Sequence, residues 1–134
     1  MAITLTGKYV LGIDSIDRQH ARLVEIINRL STSLSREDHP TTSGILRELA
    51  LYAEGHFAYE EAYFVECNYQ ETAEHERGHR MFLSNLQDFR DQSLRMDKSL
   101  VAVELLGFLE DWLSHHILIA DKQFADTFLQ CGVR

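Results

Sequence analysis

Apolar residues return along this chain at alternating steps of four and three, the interval that lines one face of an α-helix, in four separate stretches. The first runs through Ile16, His20, Leu23, Ile27, Leu30 and Leu34 and predicts a helix over 15–36 with Asp14 as its cap. The second, through Ile45, Leu49, Tyr52, His56, Glu60, Tyr63 and Cys67, predicts a helix over 42–67 that begins after Pro40 and frays near Asn68. A third seam of His75, His79, Phe82, Leu86 and Phe89 predicts 72–95, with Thr72 as cap and Asp97 or Ser99 at the next break. The fourth, through Leu105, Leu109, Trp112 and His116, predicts 99–120, followed by a short C-terminal helix or turn over 121–131 around Phe124 and Phe128. One proline and seven glycines leave too little turn punctuation for closely spaced strands. The expected architecture is all-α: an up-down-up-down four-helix bundle forming one domain over 1–134, preceded by an extended N-terminal segment, 1–14.

A chain of 134 residues can bury one core without help from a second domain, and 45% hydrophobic with 25% charged residues is the balance of a soluble globule. The formal net charge of -8 repels phosphate backbones and anionic lipid, so neither nucleic acid nor membrane is an expected partner. No apolar run approaches the roughly 20 residues of a spanning helix, and the N-terminus has no basic-then-apolar leader, which leads to a cytoplasmic expectation. Cys67 and Cys131 are too few for a disulfide framework and are expected as reduced, structural thiols.

The chemistry lies where the seams are interrupted. Each inward stripe contains histidine, and the second and fourth also carry a carboxylate, Glu60 and Asp121. A buried polar group without a partner costs about 1–3 kcal/mol, and an unpaired charge costs more, so such a set must be satisfied together. At about 100° per residue, His56 and Glu60 lie about 40° apart on one helix face, as do His75 and His79. Five residues separate His116 from Asp121, which in a regular helix is about 140° and the wrong face. A π-bulge or local kink between them is therefore predicted.

A lone His, then HxxxE, HxxxH and HxxxxD on four successive helices resembles the hemerythrin family over nearly the whole chain. The pieces are Gly12 to His20, His56-Phe57-Ala58-Tyr59-Glu60-Glu61, His75 with His79, and Trp112-Leu113-Ser114-His115-His116-Ile117 leading to Asp121. The resemblance implies two irons per chain. His75, His79 and His116 would bind one and His20 and His56 the other, with Glu60, Asp121 and a solvent-derived oxo or hydroxo group bridging both. It further implies a dioxygen pocket at Leu23, Phe57, Trp112, Leu113 and Ile117, and a binding protein for oxygen carriage, storage or delivery rather than an enzyme. Sensing through a protein partner, or peroxide or nitric oxide chemistry at the same centre, are the alternatives. Relatives often carry Trp near the start of the N-terminal segment and Met after the second-helix glutamates, where this chain has Tyr63-Phe64.

Two competing motifs are weaker. His75-Glu76-Arg77-Gly78-His79 spells the HExxH of zinc proteases, but that reading leaves His20, His56 and His116 without a task and Glu76 as a solvated residue. Ferritin-like oxidases use paired Glu-x-x-His motifs, of which only Glu76 to His79 has the spacing. His39 and His115 are expected at the surface, His39 in the turn before Pro40.

Overall fold

The computed structural model describes residues 10–36, 39–93 and 98–134. Helix α1 covers Asp14–Ser35, α2 His39–Glu66, α3 Thr72–Ser93 and α4 Lys98–His115. A π-helical turn, His116–Asp121, then leads directly into α5, Lys122–Cys131. Successive helices α1 to α4 are joined by three to five residues, a length that returns the chain antiparallel to itself. Contacts of α1 with α2 and α4, and of α3 with α2 and α4, close the ring, with no strand among the described residues. The expected all-α four-helix bundle is the fold observed.

The core is built in two apolar blocks with a polar layer between them. Leu23, Ile27, Leu30, Leu49, Phe57, Phe82, Leu109 and Leu113 belong to the larger block; Leu11, Ile13, Ile16, Phe64, Phe124 and Phe128 belong to the smaller. His20 sits in α1 between Ile16 of one and Leu23 of the other, and His116 and Asp121 sit between Leu113 and Phe124. On α2 the inward positions drift from the simple seam: Tyr52 and Tyr63 are half-buried, while Ala53, Phe57 and Phe64 fill the interior.

Several ends differ from expectation for identifiable reasons. α2 starts at His39, because proline in a first turn lacks only an N–H that would have no helical partner there. His39 is thus helical and not in a turn, its side chain lying outside the described residues. The α1 cap does not come from Asp14, which is itself the first helical residue; the Asp17 carboxylate instead accepts from the N–H groups of Leu11 (2.9 Å) and Gly12 (3.2 Å). Gly12 sits at φ +85°, where only glycine is unstrained. Thr72 opens α3 as a helical residue whose hydroxyl donates to the Tyr69 carbonyl at 2.6 Å. The expected end near Arg95 and break at Asp97 fall on residues 94–97, outside those described; α3 is followed as far as Ser93.

α2 does not fray at Asn68 but stops there. Asn68 adopts φ 55°, its N–H bonds Val65 and that of Tyr69 bonds Phe64, the double-bonded left-handed cap that normally recruits glycine. The same cap ends α5, with Gly132 at φ +94° and Val133 N–H on the Phe128 carbonyl. Cys67 and Cys131, the residues just before these two caps, are joined in a disulfide with a Cα–Cα distance of 5.7 Å, correcting the expectation of reduced thiols. Their separation of 64 residues hid the pairing, since helical periodicity says nothing about which ends meet.

Candidate metal centre

All seven sequence-predicted donors meet in the polar layer: His20, His56, Glu60, His75, His79, His116 and Asp121 are each buried. Helices α1, α2 and α3 deliver five of them, and the π-helical turn that follows α4 delivers His116 and Asp121. Its wider winding carries the extra residue between His116 and Asp121, so the two still face the same point, with His116 Nε2 3.0 Å from Asp121 Oδ1. The kink predicted from the five-residue spacing is this turn.

The two carboxylates divide the histidines into two groups. Glu60 Oε1 lies 3.1 Å from His79 Nε2 and 3.6 Å from His75 Nε2, while Asp121 Oδ1 lies 3.0 Å from both His75 and His116. Their second oxygens face the other pair: Glu60 Oε2 is 3.1 Å from His56 and 3.7 Å from His20, and Asp121 Oδ2 is 2.9 Å from His20. Donors bonded at about 2.1 Å and at right angles around one ion stand about 3.0 Å apart, so these separations are those of neighbouring metal ligands. None of the contacts has hydrogen-bond direction, leaving all five Nε2 atoms and all four carboxylate oxygens buried without a hydrogen-bond partner. Orphans on that scale are not tolerated by a folded core unless something else satisfies them, and imidazole with carboxylate is the donor mixture of iron, manganese or zinc. The residues therefore fit a pair of divalent ions, one beside His75, His79 and His116 and one beside His20 and His56.

Protonation of the metal-free layer follows from the same contacts. Burial works against charge on His20, but the Asp121 and Glu60 carboxylates outweigh it and push its pKa up to about 10. His75 behaves alike, raised to about 9. Burial opposes ionisation of Glu60, yet His56, His20 and His75 hold it well below the usual carboxylate range. Asp121 is held down by His116 and His20 against both burial and the Glu60 charge. His116 moves the other way, pushed below the ordinary imidazole value by burial.

Two supporting residues were missed from sequence. Gln19 Oε1 accepts from His56 Nδ1–H at 2.6 Å, and Glu61 Oε2 accepts from His79 Nδ1–H at 2.8 Å. Since neither oxygen carries a proton, each bond fixes the tautomer that leaves Nε2 with its lone pair directed inward. A ligating histidine calls for such a partner, but the rule names no residue, and Gln19 and Glu61 read as ordinary polar positions beside donors. Rings complete the surround: Trp112 lies on His116 at 4.3 Å and 13°, and Phe64 meets His75 edge-on at 4.8 Å. Of the expected pocket residues, Leu23, Phe57, Leu113 and Ile117 are buried in the larger block, with Trp112 packed half-buried against it. His115 is exposed, as expected, and its Nδ1–H donates to the Asp111 carbonyl at 2.9 Å. Glu76 is half-buried, not fully solvated, and lies outside both donor groups.

Comparison with known proteins agrees with this centre. Residues 11–127 match the family described as Hemerythrin HHE cation binding domain. A bacteriohemerythrin of Clostridium acetobutylicum is 31% identical over 123 residues, covering 89% of this chain and 95% of that protein. One of Pseudomonas aeruginosa is 33% identical over 116 residues, covering 87% and 74%. A hemerythrin-like protein of Naegleria gruberi is 23% identical over 118 residues, 88% of this chain and 87% of its own length.

Proposed function

The chain belongs to the hemerythrin family, a class of di-iron oxygen-binding domains, and from that premise we propose that its seven buried donors hold two irons and bind dioxygen reversibly, for carriage, storage or delivery. The observation that carries this reading is the unequal division of histidines by two carboxylates that each turn one oxygen to either side. His75, His79 and His116, with Glu60 and Asp121 and a solvent-derived oxo or hydroxo group, would hold one iron. His20 and His56, with the same two carboxylates, would hold the other, and having one histidine fewer this side would keep a place for a ligand. When bound, the irons supply the electrons that let dioxygen attach and leave.

The chain's own residues do the rest. Glu60 and Asp121, ionised in the metal-free layer, offset the cationic charge; Gln19 and Glu61 orient His56 and His79. Leu23, Phe57, Trp112, Leu113 and Ile117 form the apolar side of the ligand space, excluding the water and protons that would turn reversible binding into irreversible oxidation.

Anaerobic loading with ferrous iron is expected to reach two irons per chain, and air should then raise a visible absorption that deoxygenation removes. His56→Ala and Glu60→Ala should sharply lower the iron content. No reversible band, or a single zinc held by part of the set, overturns the reading.

A further inference from the structure

The disulfide ties the end of the helix that carries Glu60 to the end of the helix that follows Asp121. Glu60 lies two turns before Cys67 on α2, and Asp121 immediately precedes α5, which ends in Cys131. Between bond and carboxylates sit Phe64, Phe124 and Phe128, all buried, with ring centroids 4.4 to 5.6 Å apart. Among the described residues α5 is held to α2 only through this apolar contact and the covalent bond, with no hydrogen bond or ion pair between them. The bond itself is reachable: Cys131 is exposed and Cys67 half-buried.

We propose that Cys67–Cys131 is a thiol–disulfide exchange site for a dithiol reductant, and that its state sets how firmly the metal pair is held. The inference rests on the di-iron reading above. One thiolate of the dithiol attacks Cys131 Sγ, the bond to Cys67 breaks, and Cys67 takes up a proton. The dithiol's second sulfur then displaces Cys131, which is protonated in turn, and the dithiol departs as its own disulfide; two electrons and two protons have passed to the chain. Both cysteines stand at helix C-termini, where the partial negative charge of the helix end disfavours thiolates and makes them poor leaving groups. The bond therefore resists monothiols and yields to a dithiol, whose second sulfur makes the exchange irreversible in practice. Once open, α5 is free to shift on α2, and Asp121 moves relative to Glu60. Ligand distances in metal sites keep within about 0.2 Å of their usual values, so a shift of one carboxylate against the other would loosen both ions at once.

The test uses the full chain in oxidised form and after treatment with dithiothreitol, freed of reductant anaerobically and loaded with cobalt(II), which avoids iron redox chemistry. Thiol titration should read none before reduction and two after. Cobalt release to an excess chelator should be on the order of tenfold faster from the reduced chain, the scale of lost outer support at a metal site. Cys67→Ser/Cys131→Ser should release at the reduced rate with or without dithiothreitol. Leu30→Ala, in the other apolar block, lowers stability without touching this contact and should release at the oxidised rate. Equal release from oxidised and reduced chains, or acceleration by Leu30→Ala equal to that by reduction, overturns the proposal alone. Fewer than two cobalt ions per oxidised chain overturns the di-iron reading and the proposal with it.

Discussion

Phe57 lies on the face of His79, the two ring centroids 3.8 Å apart and the planes 8° from parallel. The same ring meets Phe82 edge-on at 5.7 Å and Trp112 at 5.8 Å, so it joins an imidazole of the polar layer to the larger apolar block. Phe57→Leu keeps most of the apolar volume and should lower stability by roughly 1 kcal/mol, whereas Phe57→Ala should cost about 3–5 kcal/mol. Both should retain two irons, because no donor is lost. The oxygenated absorption should decay faster in Phe57→Leu, since a flat ring no longer seals His79 from water. Chemical denaturation and the lifetime of the visible band measure the two effects; an unchanged lifetime would remove Phe57 from the ligand space.

Glu61 is the only charged outer partner of a polar-layer histidine among the described residues, Gln19 being neutral. Its carboxylate makes His79 a stronger donor and fixes its tautomer. Glu61→Gln keeps an acceptor and should weaken metal binding on the three-histidine side modestly, while Glu61→Leu removes the acceptor and should weaken it roughly 10–100-fold. Competition against a coloured chelator, read as two phases, separates the two ions. Equal affinities in Glu61→Leu and the parent chain would show that packing alone holds His79.

What sequence conveyed here was direction within a helix. His20, His56, Glu60, His75 and His79 fell on inward faces because a period of 3.6 fixes the face, and the misfit of Asp121 was itself readable as an extra residue to be absorbed. Contacts between helices were not readable. The Cys67–Cys131 bond, the Gln19 and Glu61 partners and the replacement of Tyr52 and Tyr63 by Ala53 and Phe64 as filling residues all depend on how one helix is rotated against another. Ends were read poorly for a local reason: Asp17 and Asn68 supply the terminating bonds from positions where several polar neighbours competed on paper.

Protons and metal compete for the polar layer. In the metal-free chain His20 is raised from 6.5 to about 10 and His75 to about 9, so their protonation stabilises the fold fully below about 6.5, the unfolded value. That contribution is lost as pH rises, first through about 9 and then through about 10. Thermal melts should therefore show the metal-free chain weakening across this alkaline range while the metal-loaded chain, whose imidazoles are deprotonated, does not. Loading at neutral pH should release the protons of both histidines, measurable as a buffer-dependent heat by calorimetry. A heat independent of buffer ionisation would mean that neither carries a proton.

The π-helical turn offers a sharper test, because it separates absorbing a residue from aiming one. Ile119 lies within His116–Asp121 and is 56% exposed, so its deletion removes little packing. The remaining five residues can close as regular α-helix, leaving His and Asp four apart and about 40° around the axis, the relation His56 and Glu60 already have. Downstream of the deletion, Phe124 and Phe128 keep their face, since the turn had spent one residue without advancing the helix. Two metal ions per chain should still bind, and thermal stability should not fall. The contrasting deletion, Leu51 in the regular helix α2, is also of an exposed residue (61%), but it rotates His56 and Glu60 by about 100° against the preceding half of their helix. That variant should lose the metal and much of its stability. If deletion of Ile119 also abolishes binding, the turn is required to aim Asp121 at both ions and not merely to absorb the additional residue.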